Sequence, residues 1–385
     1  MLKTSLILFF IVSVIFSTIY TPQAILPTLQ EQFHLTMTQT NLLLSGMLFV
    51  LMVVTPLYAS IVKRFEKKKI MMLALFFLFL AVLLSAFSSN YTILLLSRVI
   101  QGIFIPGITV TMLIYVQEIY PKKQRGFGMG VYISATAFGA VIGRLLAGWM
   151  TYLYSWKEAF GMFALLLLLA LLAMKWGLPE THHPLESEAF TPKKERVKLL
   201  FPINLQILSI LFIPMVVFFS FMAITTFVTY HLAQAPFSLN EAELGNLFLI
   251  LLLAVFVSPI VGKLSDRFRR ERLLLLSLSF LLLGILLTLG SSLGVIVLGM
   301  GLVTIGMFSI QSLAPTYLGD LVPHNRAGVA VLYQTFFYMG GALGTILPSL
   351  AWKYGGYEAV VMLSFGLVLV GVSPFYYNLF KQVNQ

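Results

Sequence analysis

The chain's 385 residues are 59% hydrophobic and only 10% charged, with a mean hydropathy of +0.94. Soluble domains carry about 25% charged residues, so this chain cannot cover itself with polar side chains in water, and its solvent must be lipid. The net charge of +11 sits in short loops between apolar runs, where it reads as topology and not as a nucleic-acid surface. With no cysteine, thiol chemistry and Cys-based metal sites are excluded.

The first apolar run, Leu6 to Ile19, follows one lysine and has the outline of a signal peptide. It lacks a small-x-small cleavage site and continues into Tyr20-Thr21-Pro22-Gln23, so it reads as a retained first helix. A spanning helix needs about 20 apolar residues. Runs of that size predict twelve spans, near 4–26, 41–62, 70–88, 91–116, 127–150, 157–178, 204–229, 244–262, 272–290, 294–317, 328–351 and 358–380. The fold class is therefore all-α integral membrane, in two six-helix bundles. The one long break is polar and rich in Glu, Lys and His. It predicts an N-terminal bundle over 1–178, a cytoplasmic linker over 179–202 and a C-terminal bundle over 203–385.

Basic residues cluster on one set of alternate loops. Lys63, Arg64 and Lys67 to Lys69 follow span 2, and Lys122, Lys123 and Arg125 follow span 4. The linker lysines follow span 6, Lys263, Arg267, Arg269, Arg270 and Arg272 follow span 8, and Arg326 follows span 10. The opposite loops hold only Lys157 and Lys353. The positive-inside rule then puts both termini in the cytoplasm.

The two halves share one plan. Pro121-Lys-Lys-Gln-Arg-Gly126 leads into a helix with Gly139, Gly143 and Gly148 and ends at Trp156-Lys157-Glu158-Ala159. A degraded copy runs from Pro323-His-Asn-Arg-Ala-Gly328 through Gly340, Gly341 and Gly344 to Tyr357-Glu358-Ala359. Small residues four apart let helices approach closely. These glycines are expected to form surfaces on which helices 5 and 11 slide against a neighbour from the other half. Arg144 has no counterpart, because Thr345 stands in its place.

No Asp or Glu falls near the middle of a predicted span; the intramembrane ionisable groups are Arg98 and Arg144. A buried arginine costs at least ~2.5 kcal/mol even on lenient insertion scales, so each needs a partner or a water-filled cavity. Two readings stand for each: a structural arginine bonded to neighbouring carbonyls, or a positive pole that binds an anionic group or gates a proton path. Gln101, Tyr20, Gln23, Tyr132, Gln311, Tyr333, Gln334 and Tyr338 are candidate cavity lining, or else polar groups satisfied inside packed helices. His231 reads as a loop or rim residue.

These features together resemble a major facilitator superfamily transporter, within it the twelve-helix drug:proton antiporter branch, and particularly the arabinose-efflux-type permeases. The resemblance covers essentially the whole chain. Gly262, Leu264, Asp266 and Arg267 match the family's loop signature, and Arg98, Gln101 and Gly102 match its helix-4 pattern. Gly139, Gly143 and Gly148 resemble the antiporter motif of helix 5, with Arg144 in place of its proline. The resemblance implies a conformational latch at Gly262, Asp266 and Arg267. Its first-half counterpart at Lys63 and Arg64 departs from the pattern, because Lys63 replaces an aspartate.

The expected function is a secondary transporter working by alternating access, a proton-coupled exporter of a small polar, anionic or amphipathic solute. A facilitator, an anion exchanger, a lipid flippase and a non-transporting sensor on the same fold are the alternatives. An enzyme, a metal, a cofactor and nucleic acid are not expected. The expected partners are a small-molecule substrate, protons and the bilayer of the bacterial cytoplasmic membrane, with the protein acting as a monomer. Without a midplane carboxylate, Glu31, Glu118 and Asp320 at the membrane edges remain the candidates for proton coupling.

Overall fold

A computed structural model describes residues 2–62, 65–121, 124–180, 205–265, 267–322 and 326–383. The first half holds α1 (Leu2–Tyr20), α2 (Leu26–Gln32), α3 (Met37–Ile61), α4 (Lys67–Ala86), α5 (Tyr91–Ile119), α6 (Arg125–Leu153) and α7 (Trp156–Gly177). The second holds α8 (Leu205–Ala233), α9 (Glu241–Leu247), α10 (Leu253–Ser265), α11 (Arg270–Leu287), α12 (Leu293–Leu321), α13 (Arg326–Ile346) and α14 (Pro348–Val383). Among the described residues, ten helices are long and apolar enough to cross a membrane. Of the other two predicted spans, 272–290 is helical in α11, and 328–351 is helical in α13 up to Ile346, its last residues opening α14 at Pro348. Arg270, Glu271 and Arg272 crowd the first turn of the 18-residue α11 and reduce its apolar length.

Local chemistry sets several helix starts. Thr36 accepts from the Gln39 amide while the Gln39 side chain returns to Thr36, a capping box at the head of α3. Asn240 and Glu243 build the same box for α9. Asn90 caps α5 and Ser155 caps α7, each type of cap stabilising by about 1 kcal/mol. The second copy of the repeat's closing motif begins a helix as the first does. α14 is interrupted at Gly355 and at Gly356, whose φ of 58° is left-handed, and Tyr357 restarts it.

Besides the span at 328–351, two predicted spans are broken. Span 1 ends as α-helix at Tyr20 and continues as a 3-10 turn, Thr21–Ala24, before α2. Pro22 has no N–H to offer the Thr18 carbonyl one turn back, which leaves that bond unmade and favours a break here, although Pro56, Pro106 and Pro214 lie inside α3, α5 and α8 without ending them. Span 8 divides into α9, a 3-10 segment Phe248–Leu252, and α10. The residues Phe-Leu-Ile-Leu-Leu are adequate helix formers, so nothing in local propensity explains this second break.

The helices cluster into two compact units. One comprises Met1–Thr191 with Ser238–Leu249, the other Pro192–Phe237 with Ile250–Gln385. Most of the predicted linker lies outside the described residues. The internal pairings of the two units follow one plan. In the first, α1 packs on α6 and α7, α5 on α3 and α4, and α4 on α7. In the second, α8 packs on α13 and α14, α12 on α10 and α11, and α11 on α14. The repeat seen in sequence is a repeat of helix pairing.

The glycine tracks are the closest of these contacts. A Cβ at Gly139 would stand 2.2 Å from the Ser13 carbonyl oxygen, and one at Gly143 2.3 Å from that of Ser17. The serines answer by donating to Ala135 O at 3.2 Å and Gly139 O at 3.0 Å. In the second unit a Cβ at Gly340 would stand 2.1 Å from Met215 O, and one at Gly344 2.2 Å from Phe219 O, while Gly341 seats the Phe218 ring. This corrects the expected sliding partners. Gly139 and Gly143 face α1, and Gly340, Gly341 and Gly344 face α8, each within its own unit. Backbone-to-backbone contact of this kind locks two helices at a fixed approach. Gly148 alone meets a later segment, with the Glu241 carbonyl and Gly245 of α9 against it.

Candidate functional site: a buried arginine at two helix breaks

Both intramembrane arginines are buried in the first unit, Arg98 at 0% and Arg144 at 1% exposure. Their surroundings differ. Arg98 donates from Nε to Leu43 O (3.0 Å), from Nη1 to Thr18 O (2.9 Å) and Gln101 Oε1 (2.5 Å), and from Nη2 to Ile19 O (2.7 Å). Thr18 O is the carbonyl that Pro22 leaves without a donor, and Ile19 O lies in the same last turn of α1. Arg98 therefore caps the C-terminal end of α1, where the helix dipole favours a cation. Gln101 extends the network, donating from Nε2 to Ser85 Oγ at 2.9 Å, and Ser85 lies 2.7 Å from Ser97.

Arg144 stands beside the turn that this cap closes. Its Nε donates to Gln23 Oε1 at 2.7 Å and its Nη1 to Ala140 O at 2.5 Å. The guanidinium carbon lies 4.1 Å from the Tyr20 ring centroid and 4.9 Å from that of Phe248. Tyr20 is the last residue of α1, Gln23 lies in the break after it, and Phe248 opens the break after α9. Two interrupted helices thus supply the walls, and every one of these partners is neutral. Among the described residues no carboxylate pairs with Arg144. Around the same end, Thr28 donates to Glu241 Oε1 (2.9 Å) and Trp149 Nε1 to Asn246 Oδ1 (3.0 Å), fixing α9 against α2 and α6.

The remaining candidates are dispersed. Tyr132 is buried in α6, Gln311 is half-buried in α12, and Tyr338 in α13 packs edge-on to Phe337. Tyr333 is buried and stacked on Phe337, and Gln334 is half-buried. His231 is half-buried and stacks on Tyr357 at 4.6 Å, so it belongs to an aromatic cluster more than to a rim. Glu31 is exposed, whereas Glu118 Oε1 lies 2.9 Å from Lys67 Nζ, an ion pair without the angle of a hydrogen bond. Lys63, Arg64 and Asp266 lie outside the described residues, as does the side chain of Asp320. Arg267 is exposed, and Gly262 has open space around it.

Sequence reasoning missed two contributors. Phe248 reads as one apolar residue among many, and no local signal marks it. Lys68 reads as a loop anchor, but it is buried and donates to Lys175 O (3.1 Å) and Leu178 O (2.7 Å), capping the C-terminus of α7.

Two bundles on one pairing plan, with discontinuous helices gathered at a buried polar side chain, define a membrane transporter of the internal-repeat class. The chain belongs to the Major Facilitator Superfamily, whose description matches residues 7–345 and, in a second match, residues 210–381. It is 29% identical over 361 residues to the uncharacterized MFS-type transporter YybF of Bacillus subtilis, covering 92% of this chain and 88% of that one. It is 28% identical over 356 residues to the inner membrane transport protein YnfM of Escherichia coli, covering 90% and 83%. Its fold matches a bacterial homologue of the human lysosomal transporter Spinster, in an inward-facing and occupied conformation. That match has a TM-score of 0.79 at 16% identity, over 97% of this chain and 95% of the other. The human organic anion transporter MFSD10 matches at a TM-score of 0.68 and 17% identity, over 97% and 98%.

Proposed function

We propose that the protein is a secondary transporter of the drug:proton antiporter branch, akin to arabinose-efflux-type permeases. It works by alternating access and exports a small polar, anionic or amphipathic solute from the bacterial cytoplasm, with both termini on the cytoplasmic side. The observation that carries this reading is Arg144, a buried guanidinium with neutral partners at two helix breaks. An ionisable group placed so within a membrane bundle is a functional site by default, and broken helices are where such folds bind substrate. Arg98 serves as a positioning residue, because its cap on α1 holds the turn that carries Tyr20 and Gln23. Asp266, with Gly262 and Arg267, keeps the latch role that its motif implies.

A second reading, exchange of one anion for another, is favoured by the carboxylates. Glu118 is already paired with Lys67, and Glu31 is exposed. Proteoliposomes separate the two. Proton-coupled efflux is accelerated by an imposed proton gradient and indifferent to anions on the far side, and exchange behaves the opposite way. Wild-type rates in Arg144→Ala would overturn both.

A further inference from the structure

We infer that the ligand of the Arg144 site is a monocarboxylate on an apolar body, held through the two terminal nitrogens of the guanidinium. The inference deepens, and rests on, the reading of Arg144 as the substrate pole.

The two arginines act as an internal comparison. A guanidinium has five N–H donors. Arg98 places four hydrogen bonds on three carbonyls and one amide oxygen, which is how this fold buries an arginine for structure. Arg144 uses one donor on Nε and one on Nη1. Among the described residues, its remaining donors, one on Nη1 and both on Nη2, have no protein acceptor. They lie on neighbouring nitrogens, the pair that a planar carboxylate bridges with two parallel hydrogen bonds. No Arg144 nitrogen is among the fully buried side-chain atoms left without a partner, and the Nη1 bond is only part-buried. The free donors therefore face space that a ligand can enter, and a charge there without a counter-charge is costly.

Charge then limits the ligand. Gln23, Ala140 O, Tyr20 and Phe248 contribute none, so the cluster carries one positive charge and one negative charge neutralises it. A dianion would leave a net negative charge among apolar rings, and a cation would double the positive one. The ring faces of Tyr20 and Phe248 lie against the guanidinium. A ligand group seated beside them loses its hydration, which a hydrophobic body tolerates and a polyhydroxylated one does not.

The purified full chain in detergent tests this by thermal shift, with benzoate, benzamide, phthalate and benzenesulfonate as probes. Benzoate is expected to raise the unfolding temperature, with benzamide and phthalate inert and benzenesulfonate weaker. Arg144→Lys keeps the charge and loses the fork, so benzoate binding should weaken by about tenfold or more. Tyr20→Leu, which leaves the arginine in place, should weaken benzoate more than butyrate. An equal response to benzamide would show that charge is not read. Tighter phthalate, or benzenesulfonate at least as tight as benzoate, would overturn the planar monoanion. Unchanged benzoate affinity in monodisperse Arg144→Lys would overturn the fork. Transport is scored separately in proteoliposomes. Benzoate bound with no solute moved sinks the transporter reading and leaves the site, whereas transport of another solute without benzoate binding sinks the site alone.

Discussion

Arg98 and Arg144 have the same side chain, the same depth of burial and opposite degrees of saturation, and their removal should have opposite consequences. Arg98→Gln strips donors from Thr18, Ile19 and Leu43 carbonyls, each a buried group costing about 1–3 kcal/mol when left unpaired. A drop in apparent melting temperature of several degrees is expected in a detergent unfolding assay. Arg144→Gln removes a buried charge that lacks a counter-charge, so stability should stay the same or rise. Equal destabilisation by the two variants would show that Arg144 is held by the fold as firmly as Arg98. Both positions are legible in sequence as intramembrane arginines. Their difference is not, because it depends on which carbonyls come within hydrogen-bond reach.

At the scale of elements, the glycine tracks and the helix caps carry the packing. Gly143→Ala drives a Cβ to 2.3 Å from the Ser17 carbonyl oxygen, where backbone has to move; overpacking of this kind costs about 1–3 kcal/mol. At Gly161 in α7 an added Cβ would meet nothing within 4 Å, so Gly161→Ala should be neutral or stabilise by up to about 1 kcal/mol through helix propensity. Thermal unfolding of the pair against wild type checks both signs in one experiment. Lys68→Met leaves the Lys175 and Leu178 carbonyls at the end of α7 without their donor. A loss of about 1–3 kcal/mol is expected, whereas Lys69→Met, which removes an exposed pair with Glu66, should cost less than about 1 kcal/mol. The small-residue spacing was readable from sequence, but the helix it faces was not. Spacing states that something approaches closely and is silent on whether that neighbour is α1 or a helix of the other half.

At the scale of the molecule, the basic-loop asymmetry predicts an orientation. The native chain has no cysteine, so single-cysteine variants need no background removal. Phe65→Cys, beside the basic loop, should react with an impermeant maleimide only from the cytoplasmic side. Tyr154→Cys, 71% exposed between α6 and α7, should react only from the opposite side. Reversal of the two patterns would overturn the placement of the termini in the cytoplasm. Asp266→Asn should shift the balance of labelling between the two faces, as expected of a latch residue.

Composition and patterning alone determined that lipid is the solvent, that apolar helices repeat in two halves, and that two arginines and a glycine track interrupt them. Those are local properties, written within one helix length. The break after Tyr20 fell inside the span read as 4–26: Pro22 removes a donor there, but a proline by itself does not end a helix in this chain, as Pro56, Pro106 and Pro214 show. Only the tertiary structure decided that Arg98, 80 residues beyond Thr18, supplies the missing bond. It also decided that Gln23, 121 residues before Arg144, and Phe248 from a later segment close around the second arginine. Hydrogen-bond saturation is a property of packed neighbours, and packing brings together residues that sequence order keeps far apart.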